Sequence, residues 1–409
     1  MELMLLTWDS PWPALGGGPL RTLGLLKELS KTYSIHLIVL ASKPLVEEQE
    51  EELARYVHSI TCVPMAGGTL ADKLLILTRM FMRRMPYHCA LLSLSFDRAP
   101  AALKQLFSFP GIIYASYGHW GTLVRDRPSP NWILDQQNAD VDFWRVYMTQ
   151  ATSWWLKLAC WVNWRLAAAH FPRIYSSVGR VISVCEEDRH LTLDLAPQAK
   201  VDVIENGVDC QHYTPHRALR SGLPRLLFTG TSAPRNVTAL RQFARNVWPL
   251  VQQELPDAEL LVAGNFKPEA QVEFKQYSNI RFTGRVDDIR PYFDQSDVFI
   301  APFQETHGSK LKIAEAMAMG MAIVSTPEGI RGFSLVDRES VLIAYSDEQF
   351  AKQIIYLLLD PVKREQIGFK ARTVALDTID WSMLGQRLQV MVEDVRHDLA
   401  TQHGCKGTS

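Results

Sequence analysis

An excess of charge of either sign is missing from this 409-residue sequence: 43 Lys and Arg stand against 44 Asp and Glu, for a formal net charge of −1. Without surplus cations there is no broad basic face to neutralise a phosphate backbone, which argues against a general nucleic-acid binder. Cysteine is sparse. Cys62, Cys89, Cys160, Cys185, Cys210 and Cys405 are scattered without metal-ligand spacing and read as reduced thiols, most of them core residues, of a cytoplasmic chain. No apolar run is long and uncharged enough to span a bilayer. The opening MELMLLTWDSPWP meets Asp9 and Pro11 too soon for a signal peptide and reads as a first strand. The dinucleotide fingerprint G-x-G-x-x-G is absent: Gly16, Gly17 and Gly18 are adjacent and followed by Pro19, which argues against a nicotinamide dehydrogenase. No Asp-x-Asp suits metal binding, and the acidic pair Asp287 and Asp288 reads as an N-cap and turn.

A hydrophobic fraction of 47% with 21% charged residues fits a globular chain long enough for two domains. Both halves alternate short apolar runs with helix-length segments. In the first half, residues 3–7 form a strand, 10–19 a loop rich in Pro and Gly, 20–31 an amphipathic helix and 35–41 a second strand, a βαβ unit with a parallel sheet. In the second half, the runs 226–229, 259–263, 280–282, 298–301 and 322–325 are strands. The fold class is therefore α/β with two Rossmann-like domains. The polar, Pro-bearing segment 213–225 suits a linker between domains 1–212 and 226–380. From Trp381 a long amphipathic helix occupies 381–409, with a polar, frayed end from about Thr401.

Residues 308–320, GSKLKIAEAMAMG, place a glycine-led loop and two lysines ahead of a helix, between the apolar runs DVFIAP and AIVSTP. A helix start offers free N–H groups and a positive dipole end to a phosphate. Gly308 permits close backbone approach, Lys310 and Lys312 add charge, and Glu315 supplies an acceptor for a sugar hydroxyl. The same spacing also fits a buried βαβ unit whose lysines merely solvate a turn. The loop 16–18, after the first strand, is either a tight turn or ligand-facing backbone. Two such loops facing each other across a cleft are what a transfer between two substrates needs.

Four passages, VISVCEEDRHLTL, VDVIENGVDCQHYTP, the segment from FTGTSAPRN to AGNFKP with its echo FTGRVDDIRPYFDQSDVFIAPF, and HGSKLKIAEAMAMGMAIVSTPEGIRGF, together resemble the GT-B glycosyltransferases of the retaining glycosyltransferase family 4. The wording is similar to sugar transferases of exopolysaccharide and cell-surface glycan clusters. The resemblance covers nearly the whole chain and is strongest over 181–332. It implies GT-B architecture, two facing Rossmann-like domains with a cleft between them, a nucleotide-diphosphate sugar held mainly by the C-terminal domain, an acceptor held mainly by the N-terminal one, and a final helix crossing back.

Carried over by position, Glu315 matches the second glutamate of the family's paired motif, which implies a hold on the donor ribose. The first glutamate's place is taken by His307, with Glu305 two residues off register. The family's diphosphate arginine and lysine fall on Thr231, just after Gly230, and on Asn236. Arg235 is then the replacement cation, because a guanidinium binds phosphate bidentately, and Lys310 is the second phosphate ligand. Arg235, Lys310 and His307 are thus the expected catalytic groups. Gly17, Gly18, Gly230, Asn236, Gly308, Ser309, Leu311 and Glu315 are the expected donor-binding ones. On the acceptor side stand Asp135, Asn138 and Asp140, with Glu305 toward the donor sugar. Neither metal nor cofactor is expected, since basic side chains and helix dipoles can take up diphosphate charge.

The expected partners are the nucleotide-sugar donor and a sugar, lipid-linked glycan or small-molecule acceptor, without nucleic acid. The segments 73–84 and 154–171 are apolar and basic and suit either a bilayer interface, hence peripheral contact at the inner face of a membrane, or burial as core helices. Two other readings share the architecture: a nucleotide-sugar binding protein without catalysis, and a sugar-nucleotide epimerase or phosphorylase.

Overall fold

The computed structural model describes residues 1–14, 16–137, 140–151, 153–216, 222–304 and 311–406, with the side chains of Val146, Gln150 and 402–406 left aside. Internal contacts divide the chain into two compact units, Met1–Glu205 with Leu384–Ser409, and Asn206–Met383.

The first unit is a seven-stranded sheet, β1 (Glu2–Trp8), β2 (Ser34–Ala41), β3 (Ser59–Pro64), β4 (Ile112–Ser116), β5 (Ser129–Asp135), β6 (Val178–Ser183) and β7 (Val201–Val203), in the order β3-β2-β1-β4-β5-β6-β7. All pairings are parallel. Leu3 pairs with Ile35 on one side and Ile112 on the other, so β1 is central and its runs LMLL are buried on both faces. Helices cover the faces, and the strand order reverses between β1 and β4, where an open α/β sheet forms its ligand crevice at the strand C-termini.

The second unit repeats this with β8 (Arg225–Thr229), β9 (Glu259–Ala263), β10 (Ile280–Phe282), β11 (Val298–Ala301), β12 (Ala322–Ser325) and β13 (Leu342–Ile343), in the order β10-β9-β8-β11-β12-β13. Its pairings are parallel too, and its reversal lies between β8 and β11. Phe228, Leu260, Val262, Phe299, Ile323 and Met317 are fully buried in a continuous core. Each such side chain contributes about 1.5–3 kcal/mol.

Two boundaries differ from the sequence expectation. The units part between Glu205 and Asn206, not after residue 212, because Val208 and Cys210 belong to the second core and Val208 exchanges backbone hydrogen bonds with Ile379 and Trp381. The last helix, Trp381–Lys406, changes unit within its first turn. Trp381 lies on Gly207, where an added Cβ would fall 2.4 Å from the indole. From Leu384 onward the helix belongs to the first unit: Leu384, Leu388, Val392 and Val395 are buried, and Tyr33 Oη donates to Glu393 at 2.9 Å. The helix continues through Lys406, beyond the residue where the sequence suggests fraying. The expected linker falls partly on 217–221, outside the described residues.

Candidate functional site

In the second unit, β8 ends at Thr229 and Gly230 turns the chain, its N–H donating to Ala263 O at 2.9 Å. Helix Pro234–Gln242 follows and brings Asn236 back under the turn, where Nδ2 donates to Thr231 O at 3.1 Å. The buried Asn236 presents Oδ1 to Lys312, whose Nζ donates at 2.9 Å. Lys312, in the first turn of helix Leu311–Ala318, also stands 4.9 Å from the ring centroids of both Phe228 and Phe303. Aromatic faces and an amide oxygen hold the ammonium in place. A Cβ on Gly230 would fall 3.0 Å from Asn236 Nδ2 and 3.1 Å from Lys312 Nζ, so the bare glycine keeps the backbone close to that cation.

Glu315 lies one turn further on, half-buried, and accepts from Tyr213 Oη at 3.1 Å. Burial pushes its carboxyl up to about 7, while the Tyr213 hydrogen bond and the charge of Lys312 act to lower it. Arg372 fixes this corner by donating to Tyr213 O at 2.8 Å and to Ala318 O at the end of the same helix. Arg235 is exposed in the first turn of helix Pro234–Gln242 and makes no hydrogen bond or ion pair among the described residues. Leu311 opens its helix, half-buried. Glu305, His307, Gly308, Ser309 and Lys310 lie outside the described residues, as does Asn138.

The cation at Gly230 is therefore Lys312, delivered by the neighbouring helix, and Asn236, expected to face the donor, is occupied in orienting it. The sequence signal was the second lysine of GSKLKIAEAMAMG; what spacing does not reveal is that residue 312 reaches residue 236 across 76 positions. Asp288 accepts from Arg290 N at 2.9 Å and pairs with its guanidinium at 2.7 Å, so this carboxylate shapes a turn. Among the described residues no group of three His, Cys, Asp or Glu is gathered to hold a metal ion.

In the first unit, helix Gly17–Ser30 begins three residues before the expected position, because Gly17 and Gly18 form its first turn, with Pro19 tolerated there, and only Gly16, at φ +112°, turns the chain. Gly18 permits close packing: an added Cβ would fall 2.2 Å from Tyr117 Oη and 2.5 Å from Gln137 Oε1. Gly17 is exposed in the same turn. Asp135 is not available to an acceptor. It is fully buried, takes Nε and Nη2 of Arg21 at 2.8–3.0 Å, and accepts from Tyr114 Oη at 2.7 Å. A buried, fully bonded ion pair serves positioning, and it fixes β5 to the first helix.

Asp140 is half-buried at the start of helix Asp140–Gln150, accepting from Tyr175 Oη at 3.2 Å and Gln136 Nε2 at 3.3 Å. Burial raises its carboxyl to about 7, poised for proton exchange near neutrality. Beyond β4, Tyr117 adopts φ +98° and stacks on His119 at 5.4 Å, with Trp8 edge-on to His119 at 4.7 Å and His88 at 6.0 Å. His119 Nε2 is buried without a hydrogen-bond partner among the described residues. This aromatic group at the β1/β4 reversal escaped the sequence reading; its signal was the YGHWG run directly after an apolar strand.

Residues 223–360 match the sequence model of glycosyl transferases group 1. Over 392 residues, 93% of this chain and 96% of the relative, the chain is 23% identical to a 44.6 kDa protein in the cps region of Klebsiella pneumoniae. It is 24% identical over 206 residues, 45% of this chain, to the GDP-mannose-dependent monoacylated alpha-(1-6)-phosphatidylinositol monomannoside mannosyltransferase of Corynebacterium glutamicum, of which the match spans 54%. Among solved structures, sucrose-phosphate synthase from Thermosynechococcus elongatus superposes with a TM-score of 0.67 over 97% of this chain and 99% of its own, at 15% identity. That likeness is one of fold, the paired parallel-sheet Rossmann-like units of GT-B structures.

Proposed function

We propose that this glycosyltransferase, whose second unit carries the group 1 domain, moves a sugar from a nucleotide-diphosphate sugar to a hydroxyl acceptor with retention of anomeric configuration, as in the family 4 enzymes it resembles. The observation that carries the reading is Lys312, held by Asn236, Phe228 and Phe303 against Gly230 at the β8/β11 reversal, with Glu315 one turn away. Lys312 and the exposed Arg235 take up the charge of the departing diphosphate, which makes a metal dispensable. Glu315 accepts from the ribose hydroxyls. On the first unit, Asp140 and the aromatic group around His119 receive the acceptor, and Asp140 takes the proton its hydroxyl releases. His307 and Lys310 keep their sequence-based roles beside the donor sugar and phosphates. The names of the two relatives support a cell-surface glycan or a lipid-linked acceptor, and the apolar, basic segments 73–84 and 154–171 support a meeting at the inner face of a membrane.

The test is calorimetric titration with UDP, GDP, ADP and TDP and their common sugar conjugates, GDP-mannose first, with and without a divalent cation, followed by analysis of the products. Selective binding of one diphosphate without metal, lost in Lys312→Ala, is expected. Binding with no sugar released when acceptors are supplied would make the chain a non-catalytic binding protein. A sugar altered but not transferred, or a requirement for free phosphate, would make it an epimerase or a phosphorylase. An inverted anomeric centre in the product would remove retention.

A further inference from the structure

Helix Leu70–Met82 is packed on one face and bare on the other. Asp72, Ile76 and Met80 point inward, while Leu70, Leu74, Leu77 and Phe81 recur at spacings of four, three and four and are 47–76% exposed. That spacing is a single stripe, on the side away from the core. Helix Trp154–Ser177 begins similarly: every residue from 153 to 159 is exposed, and Trp154, Leu158 and Trp161 form a second outward stripe beside the 65%-exposed Trp155. Isolated exposed apolar residues are ordinary, whereas two aligned stripes mark a surface meant to be covered.

The charges beside these stripes are mostly basic: Asp72 is buried against Arg98, and Asp97 pairs with Arg79. No acidic residue occurs from 73 to 96 or from 154 to 177, while Lys73, Arg83, Arg84, Lys157, Arg165 and Arg173 all do. In a chain of net charge −1 this is a local concentration of cations. Three of these cations, Arg83, Arg84 and Arg173, line a cavity of about 460 Å³ at the end of the first stripe, together with Met82, Arg125, Ser93 and Thr122. Asp126 lines it too and takes the Arg125 guanidinium at 2.8 and 2.9 Å, so that four arginines there face one carboxylate. The floor is built. Arg125 Nη1 donates to Arg83 O at 3.2 Å and to His170 Nδ1 at 3.0 Å, and the His170 ring reaches Thr122 Oγ1 at 3.1 Å. His170 stays neutral, held down to about 3 by burial and by Arg125, so it adds no acid or base of its own. Arg84 and Arg173 are exposed and make no ion pair among the described residues. Tyr87, which opens the next helix, Tyr87–Asp97, donates its N–H to Asn163 Oδ1 of helix Trp154–Ser177 at 2.8 Å.

We propose that this face of the first unit docks on an anionic phospholipid bilayer, the leucine and tryptophan stripes entering the interface while the Arg83, Arg84, Arg125 and Arg173 cavity receives a lipid phosphate. Apolar side chains beside a cluster of four guanidinium groups with a single carboxylate match the acyl boundary and headgroup layer of one surface, and planar guanidinium groups suit phosphate oxygens. No helix among the described residues is long and apolar enough to cross a membrane, so the contact is interfacial. The inference rests on the membrane-side part of the proposed function and is independent of the donor site.

The test is co-sedimentation of the full chain with vesicles of phosphatidylcholine alone and of phosphatidylcholine with phosphatidylglycerol, at low and high salt. Binding to the anionic vesicles alone, weakened by salt, is expected. Arg84→Ala with Arg173→Ala, two exposed positions, should weaken it about tenfold or more, and Leu74→Ser with Phe81→Ser should do the same while leaving circular dichroism unchanged. Equal binding to both vesicle types, no vesicle binding, binding of soluble glycerol phosphate in place of vesicles, or a dimer dispersed by Leu74→Ser with Phe81→Ser would each overturn the proposal. Nucleotide titration of the same variants separates the two readings. Vesicle binding that persists in a chain that binds no nucleotide sinks the donor site alone, and the reverse result sinks the membrane face alone.

Discussion

Two phenyl faces and the Asn236 amide oxygen are among the contacts that place Lys312. Truncating it to alanine is expected to cost nucleoside diphosphate affinity on the order of 1–3 kcal/mol and nucleoside monophosphate less; equal losses for both in calorimetry would place the cation away from the terminal phosphate. Asn236→Ala should reproduce part of the effect, because it frees the ammonium from its acceptor. Glu315 gives a prediction in pH. Its carboxyl is raised from 4.5 to about 7 in the folded chain, so the native state retains a proton that the unfolded state gives up. Stability from this group is full at pH below 4.5, falls as pH rises, and is lost above 7. Glu315→Gln should therefore melt higher than the native chain at pH 8, with the gap closing toward pH 5, although it holds nucleotide less well. A gap that is constant with pH would mean the carboxyl ionises normally. Glu315 was legible in the sequence from its place in the motif. The contact between Lys312 and Asn236 was not, because a side chain that reaches across 76 residues leaves no local spacing to read.

At the scale of elements, LMLL of β1 and VFIA of β11 were legible because a parallel strand between helical layers is apolar throughout, whereas the equally buried β4 was not read. β13 went unread because two residues carry no pattern. The glycine loop misled for a physical reason: three adjacent glycines suggest a turn, but two of them are helical, and one of these, Gly18, lets Tyr117 and Gln137 approach. The comparable requirement in the second unit falls on Gly264, which follows β9 at φ +121° and whose Cβ would fall 2.1 Å from the carbonyl oxygen of Gly230. A left-handed backbone costs an L residue about 1–2 kcal/mol, and the overlap with backbone adds about 1–3 kcal/mol. Gly264→Ala is expected to lower the melting temperature and to weaken nucleotide binding, because the displaced carbonyl belongs to the turn that Lys312 faces. A stable protein with normal nucleotide affinity would show that the turn relaxes without moving the cation.

At the scale of the whole molecule, the order of the chain interleaves the two units. The first unit begins at Met1, is interrupted after Glu205, and is completed only by the last helix, after the second unit has been made. The repeated βαβ pattern made two Rossmann-like units legible, but the place where one core ends is decided by which side Val208 and Cys210 pack on, and polarity marked the more visible segment 213–225 instead. The interleaving has an energetic consequence. Leu384, Leu388, Val392 and Val395 are buried by the first unit, and each is worth about 1.5–3 kcal/mol of apolar burial. Gly385 lies so close to Glu28 that a Cβ would fall 2.5 Å from its side chain, and Arg387 reaches Glu205 at 2.7 Å. A chain ending at Met383 keeps every strand of both sheets but bares the surface on which this helix rests. Its expected behaviour is unequal: backbone hydrogen exchange rises in helix Gly17–Ser30 and in β1 and β2, while β8, β9 and β11 stay protected and the nucleotide still binds. Exchange that rises equally in both sheets would mean that the second unit owes its stability to the returning helix as much as the first does.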